Sequence, residues 1–241
     1  MRSYLRLEIV RGLRNPAGLV LLVLFPLGLY LLGTEVLDVV PPGLADGFAA
    51  RTMVSMATYG ALGGALFIVG GAIALERGKG WPAQLAVTPL PAHGYVTAKL
   101  VAGAIWVLPG ILVVLAAGAL VSGVRLPPAT WPLLVALIWV GVLPFAALGI
   151  AIGYALRGQA ANLAMMTVYF GLSVLGGLWL PVEAMPAGMR AVAEYSPAYL
   201  AGSPAWRALD GVPPTAASIA ALAGWTLLFA ALALWRYRRA L

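Results

Sequence analysis

Few side chains in this sequence have the types and spacing that catalysis or nucleotide binding requires. The single histidine, His93, lies in a proline-rich stretch without a ligand-spaced partner, and the chain has no cysteine. The run Gly78-Lys79-Gly80 is only superficially similar to a phosphate-binding loop, because the upstream glycine and the following hydroxyl residue are missing. The chain is therefore expected not to be an enzyme, not to hold a metal and not to bind nucleotide phosphates by such a loop.

The composition indicates a membrane protein. Of the 241 residues, 62% are hydrophobic and only 10% are charged, against about 25% charged in an average soluble domain. This chain has too few polar residues to cover a soluble fold, which excludes a soluble enzyme, a disordered chain and a DNA-binding domain. The bilayer is an expected partner and nucleic acid is not.

Six stretches lack Asp, Glu, Lys and Arg and reach the roughly 20 residues that cross a hydrocarbon core. They predict an all-α integral membrane protein, a single domain over 1–241. Its transmembrane helices are predicted at 16–34, 53–75, 100–123, 131–156, 160–180 and 214–235. A further uncharged stretch, 80–98, contains several prolines and is predicted to be a loop with a short helix.

The charges outside the spans predict the orientation. With six spans and a cytoplasmic N-terminus, the cytoplasmic side holds eleven of the 15 basic residues and two of the eight acidic ones, Glu8 and Glu76. Lys and Arg collect on the cytoplasmic side of membrane proteins. Both termini are therefore predicted to be cytoplasmic.

Residues 1–15 are predicted to form an amphipathic helix on the cytoplasmic membrane surface. Leu5, Ile9 and Leu13 fall on one stripe, which is typical of a helix lying in the interface. A basic flank that only fixes the topology is the alternative. The apolar run that follows is longer than a signal peptide, so the first span is expected to be retained.

The external segment between spans five and six has apolar pieces that are too short to cross the membrane. Prolines interrupt them at Pro181, Pro186 and Pro197. Short apolar pieces cut by proline indicate re-entrant helices, which dip into the outer leaflet and return where protein or water satisfies their backbone.

The largest cytoplasmic segment, between spans two and three, carries the first of two family motifs. It begins with Glu76-Arg77, contains Gly80 and Leu85, and ends with Thr88-Pro89-Leu90. This resembles the segment after span two in permease subunits of the type-2 ABC exporter family, which includes bacterial multidrug-efflux permeases. The family pattern there is a Glu-Arg start, a glycine, a Leu-rich turn and a Thr-Pro-Leu ending.

The second motif lies at the end of span five. Gly176-Gly177, the step Leu180-Pro181 and the later Ser196-Pro197 resemble the family's glycine-rich span end, its Leu-Pro step and its Ser-Pro or Asn-Pro before span six. The six spans, the surface helix and the large fifth loop fit the same family, so the resemblance covers the whole chain.

The resemblance implies a dimer with a second permease, either identical or related, and a separate cytoplasmic ATPase subunit on each half. ATP and Mg would be bound by that ATPase, and no cofactor by this chain. The segment 76–91 would contain a coupling helix that contacts the ATPase, with Glu76 pairing with a partner arginine or capping the helix start. A loop whose charges only follow topology is the alternative. The residues assigned to this contact are Glu76, Arg77, Lys79, Gln84, Leu85, Thr88, Pro89 and Leu90.

The resemblance also implies that spans two and five line the substrate path. Each has a partly polar face at helical spacing, which must meet protein or water rather than lipid. One interpretation is an amphipathic path for a lipophilic or cationic substrate, and the other is hydrogen bonding between helices. The residues of these faces are Thr52, Ser55 and Tyr59 in span two and Asn162, Met166, Tyr169 and Ser173 in span five.

The expected function is ATP-driven export of a lipophilic or amphipathic compound across the bacterial plasma membrane, with drug or antibiotic efflux as the first expectation. The alternatives are export of polysaccharide, lipid or haem, and a membrane carrier or scaffold that is not coupled to ATP. The charge-free spans argue against an ion-coupled carrier, because such carriers usually have ionisable relays inside the membrane.

A reporter fused after Arg239 tests the predicted orientation. We expect a fluorescent protein fused there to be fluorescent and alkaline phosphatase to be inactive, because the basic flank keeps the C-terminus in the cytoplasm. Fusions after Arg125 serve as the control, with the opposite result. Active phosphatase after Arg239 would contradict the orientation.

Overall fold

The computed structural model of the chain describes residues 2–13, 16–36, 47–81 and 92–240, and within these ranges it contains helices and turns and no strand. This confirms the prediction of an all-α chain. The helices, in order, are α1 Arg2–Leu13, α2 Pro16–Leu31, α3 Phe48–Gly64, α4 Ala72–Gly78, α5 Ala92–Leu120, α6 Thr130–Gly141, α7 Leu143–Ala155, α8 Gly158–Leu175, α9 Ala187–Ala193, α10 Pro197–Leu209 and α11 Ala216–Ala240. A π-helix, Leu32–Val36, continues α2, another, Ala65–Gly71, joins α3 to α4, and a 3-10 turn covers Val182–Ala184.

Four helical stretches of the described residues are long and apolar enough to cross a membrane. They are Phe48–Gly78, Gly94–Leu120, Thr130–Ala155 and Ala216–Arg239. The first predicted span contributes a shorter apolar helix, Leu22–Val36. In the fifth predicted span, α8 has 18 residues and includes the polar side chains of Gln159 and Asn162. The multi-span character is thus established from four helices, while the six-span arrangement stays a prediction.

Two predicted spans differ from the observed helices. Helix α5 begins at Ala92, so the end of the stretch predicted as a loop forms the first turns of the third span. The fourth predicted span is interrupted at Val142, where α6 ends and α7 begins with Pro144 in its first turn. Proline is tolerated there because the first turn of a helix leaves its N–H groups unpaired.

The stretch Phe48–Gly78 forms the centre of the bundle. Of an apolar segment of 18 residues within it, 72% is buried, against 11% of the corresponding segment of Ala216–Arg239. Glycines allow α7 to approach the π-helix of this stretch. A Cβ atom at Gly149 would lie 2.7 Å from the carbonyl oxygen of Leu66, and one at Gly153 would lie 2.6 Å from that of Gly70. Backbones pack this closely in membrane helices only where the side chains are small.

Helix α10 packs into the bundle against α3, α6 and α11. Pro197 occupies its first turn, and the Ser196 hydroxyl accepts a hydrogen bond from the Tyr199 backbone N–H at 3.2 Å, as an N-cap does. Ala201 lies against Gly141, where an added Cβ would be 2.5 Å from the Ala201 carbonyl oxygen. Gly141 is eleven residues after Thr130, so this contact lies about 16 Å from the start of α6.

Candidate functional site

The described charges separate to the two ends of the bundle. One end, here called the basic end, contains the last turns of α4, α7 and α11 and the first turns of α1 and α5, and its exposed or half-exposed charges are Arg6, Arg77, Lys79, Arg157, Arg236, Arg238 and Arg239. The other, the mixed-charge end, contains Glu35, Arg51, Arg125, Glu183, Arg190, Glu194, Arg207 and Asp210. Candidate sites occur at both ends.

At the basic end, Lys99 holds two carboxylates in a buried cluster. Its ammonium nitrogen lies 2.6 Å from Oε2 of Glu8 and 2.7 Å from Oε1 of Glu76. The residues Lys99, Glu76 and Glu8 are only 2%, 6% and 7% exposed. Buried charges are expensive unless they are paired and hydrogen-bonded, and here each carboxylate meets the ammonium at hydrogen-bond distance.

Two tyrosines complete the cluster. The Tyr95 hydroxyl donates a hydrogen bond to Oε2 of Glu76 at 2.7 Å, and the Lys99 nitrogen lies 5.6 Å from the centre of the Tyr95 ring. The Tyr4 and Tyr95 rings are 6.1 Å apart. Burial, reinforced by the negative charge of Glu8, raises the pKa of the Tyr4 phenol well above its usual range, so it stays neutral beside the carboxylates.

Local helix geometry brings these groups together. Tyr4 and Glu8 are four residues apart in α1, and Tyr95 and Lys99 are four residues apart in α5. Side chains at this spacing share one face of a helix. Since α1 packs against α5, the two pairs face each other, and Glu76 reaches them from the last turn of α4.

The neighbouring Arg77 is also directed into the bundle. It donates hydrogen bonds to the carbonyl oxygens of Gly153 and Tyr154 at 2.9 and 2.6 Å. Its guanidinium lies 5.0 Å from the centre of the Tyr154 ring. Arg77 thereby satisfies carbonyls at the C-terminus of α7, where a cation is favoured.

The geometry corrects one detail of the sequence interpretation. Glu76 lies in the last turn of α4, and its two carboxylate oxygens contact Lys99 and Tyr95. In the described contacts Glu76 therefore does not cap the start of a helix, and its carboxylate points into the bundle rather than towards a partner. Lys79 is exposed. The other residues predicted to contact an ATPase, Gln84, Leu85, Thr88, Pro89 and Leu90, lie outside the described residues. The assignment of the whole set to coupling stays a prediction.

The predicted faces of spans two and five meet through an aromatic stack. The rings of Tyr59 and Tyr169 are stacked with centres 4.5 Å apart, and the Tyr169 hydroxyl donates to the Tyr59 carbonyl oxygen at 3.2 Å. The Ser173 hydroxyl donates to the Tyr169 carbonyl oxygen at 2.6 Å. Tyr59 and Tyr169 therefore join α3 to α8, whereas the Ser173 hydrogen bond stays within α8. Asn162 and Met166, nearer the start of α8, remain exposed.

Thr52 and Ser55 instead line a cavity of about 440 Å³ at the mixed-charge end, between α3, α10 and the chain around Pro181. The Ser55 hydroxyl accepts a hydrogen bond from the indole N–H of Trp206 at 3.0 Å. The wall of the cavity also includes Ser203, which is 5% exposed. The Ser203 hydroxyl has no hydrogen-bond partner among the described residues. The cavity is thus mainly apolar, with a few hydroxyl and charged groups.

The prolines predicted to interrupt the external segment mark its observed elements. Pro181 precedes the 3-10 turn, Pro186 precedes α9 and Pro197 begins α10. Arg190 of α9 donates to the carbonyl oxygens of Val182 and Glu183 at 3.1 and 2.5 Å. This segment is therefore held by its own hydrogen bonds and forms part of the cavity wall.

Sequence reasoning gave no site role to Tyr4, Glu8, Tyr95 or Lys99. The signal available in the sequence is the four-residue spacing of Tyr4 and Glu8 and of Tyr95 and Lys99, which places each pair on one helix face. The described ranges contain no group of three or more His, Asp or Glu side chains placed to hold a metal ion.

Span-length apolar helices, with the described acidic and basic side chains gathered at their ends, define a multi-span membrane protein. A family model described as ABC-2 type transporter matches residues 2–205, and the chain belongs to this family. It is similar to a protein of Bacillus subtilis (strain 168) named "Putative transport permease YvfS", with 31% identity over 222 residues that cover 92% of this chain and 90% of that protein.

Replacing Lys99 tests the cluster. We expect Lys99→Met to lower the free energy of unfolding by about 3–5 kcal/mol, because both carboxylates would stay buried without a counter-charge. Thermal unfolding of the purified chain in detergent measures the effect.

The matched control is Lys79→Met, the same substitution at an exposed lysine, which should stay within about 0.5 kcal/mol of the parent. The triple variant Glu8→Gln, Glu76→Gln, Lys99→Met should recover part of the loss because no buried charge remains. Equal melting temperatures for the two lysine variants would contradict a stabilising role.

Proposed function

We propose that the chain is the membrane permease subunit of an ATP-driven ABC exporter. In this proposal a separate cytoplasmic ATPase subunit binds ATP and Mg, and a second copy or related permease completes the transport path. The plasma membrane of a bacterium is the proposed location, with both termini in the cytoplasm. Membership of the ABC-2 transporter family supports the assignment.

The observation that carries the proposal is the way the buried cluster ties the two ends of the segment 76–91 together. Glu76 lies where this segment begins, and Tyr95 and Lys99 lie just after it ends. The contacts of 2.7 Å from Glu76 to each of them hold α4 beside α5, and Glu8 adds α1 through Lys99. A force on the segment would therefore move three helices rather than flex a loop.

This arrangement gives the predicted coupling residues two different roles. Glu76 and Arg77 would transmit motion from inside the bundle, since their described contacts are with α5, α1 and α7. Lys79, Gln84, Leu85, Thr88, Pro89 and Leu90 would contact the ATPase. The sequence predicts an apolar face on this segment that includes Leu85 and Leu90, which would suit a groove on a soluble partner.

The exposed face of α8 supports a second permease. Gln159, Asn162 and Met166 are exposed there. An amide exposed to hydrocarbon is unfavourable unless protein or water satisfies it. We infer that this face meets the second permease across the path.

The proposed cargo is a lipophilic or amphipathic compound, with drug or antibiotic efflux as the leading case. The cavity at the mixed-charge end has the matching character, since apolar walls hold most of such a molecule while hydroxyl and charged groups orient it. Thr52, Ser55 and Ser203 are its proposed polar contacts. Tyr59, Tyr169 and Ser173 would form a wall of the path, and the contact between Tyr59 and Tyr169 would make α3 and α8 move together.

A photo-cross-linking amino acid at Leu85 tests the coupling. In native membranes that contain the whole transporter, we expect a cross-linked product whose second component is identified by mass spectrometry as an ABC ATPase. The reason is that Leu85 is proposed to lie in the contact with that subunit.

The control places the same amino acid at Val121, which is 58% exposed near the mixed-charge end and should give no ATPase product. Leu85→Asp should also lower the amount of co-purified ATPase at least about tenfold, because it puts a charge into an apolar contact. Absence of an ATPase product from position 85 would overturn the assignment.

Filling the cavity tests the path. We expect Thr52→Phe to increase the accumulation of the bulkiest lipophilic compounds several-fold in cells that depend on this transporter, with a smaller effect on compact ones. The comparison is Val212→Phe, which adds a ring at the same end outside the cavity. If both variants leave the accumulation profile unchanged, the cavity is not on the path.

A further inference from the structure

A crevice of about 640 Å³ lies between α5, α7 and α11 at the basic end. Its walls are almost entirely aliphatic and aromatic, and they extend from Thr97 and Tyr237 near the basic end to Val107 and Trp139 farther along the bundle. Helix α11 forms one wall and is the least buried of the span-length helices. The crevice is therefore open towards the lipid.

The length of the crevice corresponds to one leaflet. Thr97 and Val107 both line it and are ten residues apart in α5, which is about 15 Å along a helix. This is half of the roughly 30 Å hydrocarbon core. An acyl chain entering from the basic end would fill it as far as the middle of the membrane.

Arg236, Arg238 and Arg239 follow the crevice wall at the end of α11. Arg238 is four residues after Leu234, a residue of the crevice wall, and so lies on the same face of α11. The guanidinium groups of Arg236 and Arg239 lie 4.5 and 4.1 Å from the centre of the Trp235 ring, and this ring anchors the helix end at the interface.

The acids described at this end do not neutralise these arginines. Glu8 and Glu76 are buried with Lys99 at their centre, so the exposed charges described at the basic end are all positive. The crevice mouth thus combines an apolar slot of one-leaflet length with uncompensated cationic side chains. An anionic headgroup bearing an acyl chain has the complementary chemistry.

We propose that the crevice binds one anionic phospholipid of the leaflet that meets the basic end. An acyl chain occupies the slot between α5, α7 and α11, and the phosphate group lies at Arg236 and Arg238 beside Tyr237. The bound lipid holds α11 against the bundle. This site is separate from the proposed transport function and does not depend on it.

Lipid binding to the purified chain tests the proposal, with native mass spectrometry counting bound phosphatidylglycerol and phosphatidylcholine. We expect phosphatidylglycerol to bind about 25-fold more tightly, since each of two arginines near the headgroup contributes about fivefold. The double variant Arg236→Gln, Arg238→Gln should remove this preference, whereas Arg125→Gln, at the other end, should keep it.

A matched pair of adjacent alanines tests the slot. Ala230 lines the crevice, whereas Ala231 is exposed and does not. Ala230→Phe should reduce binding of both lipids at least about tenfold because it fills the slot, and Ala231→Phe should leave binding unchanged. Equal affinity of the parent for the two lipids, equal binding by the two alanine variants, or a co-purified non-lipid compound in the slot would overturn the proposal.

Discussion

Lys99 lies between two carboxylates that come from distant parts of the chain, Glu8 in the first helix and Glu76 at the end of the second predicted span. The attraction between the ammonium group and the two carboxylates offsets the cost of burying all three groups. Because neither acid can be left buried alone without a large penalty, α1, α4 and α5 stay together at the basic end. This arrangement holds together the described residues on either side of the segment 76–91 and buries both acids.

The same constraint shapes the charge pattern that a membrane or a partner meets. Burying Glu8 and Glu76 removes the described acids from the surface of the basic end, which leaves arginines and Lys79 exposed there. At the mixed-charge end the acids stay on the surface, as in the pair Arg51–Asp210 at 2.8 Å. The two ends therefore present different chemistry: one suits anionic groups, and the other combines both signs around a mainly apolar cavity.

How far the sequence predicted the site depended on whether neighbouring residues shared a helix. The polar faces of the two central spans were recognised because their members recur within one helix, and Tyr59 and Tyr169 do meet. The same spacing could not separate Tyr169 and Ser173, which are buried, from Asn162 and Met166, which are exposed. Exposure depends on which helix packs alongside, and no periodicity within one helix carries that information. The break at Val142 was missed because the uncharged stretch continues through it, although Pro144 stands in the first turn of the next helix.

The sequence by itself determined that the chain is helical, resides in a membrane and has its charges outside the long apolar stretches, because hydrocarbon admits few charges and requires internally satisfied backbone. Its motifs identified the family. Only the tertiary structure decided that Glu76 pairs within the chain. It also decided that Thr52 and Ser55 line a cavity while Tyr59 stacks on Tyr169. The crevice between α5, α7 and α11 likewise follows only from the packing of these helices. These features arise from contacts between helices that are distant in sequence, and their partners are set by packing rather than by local pattern.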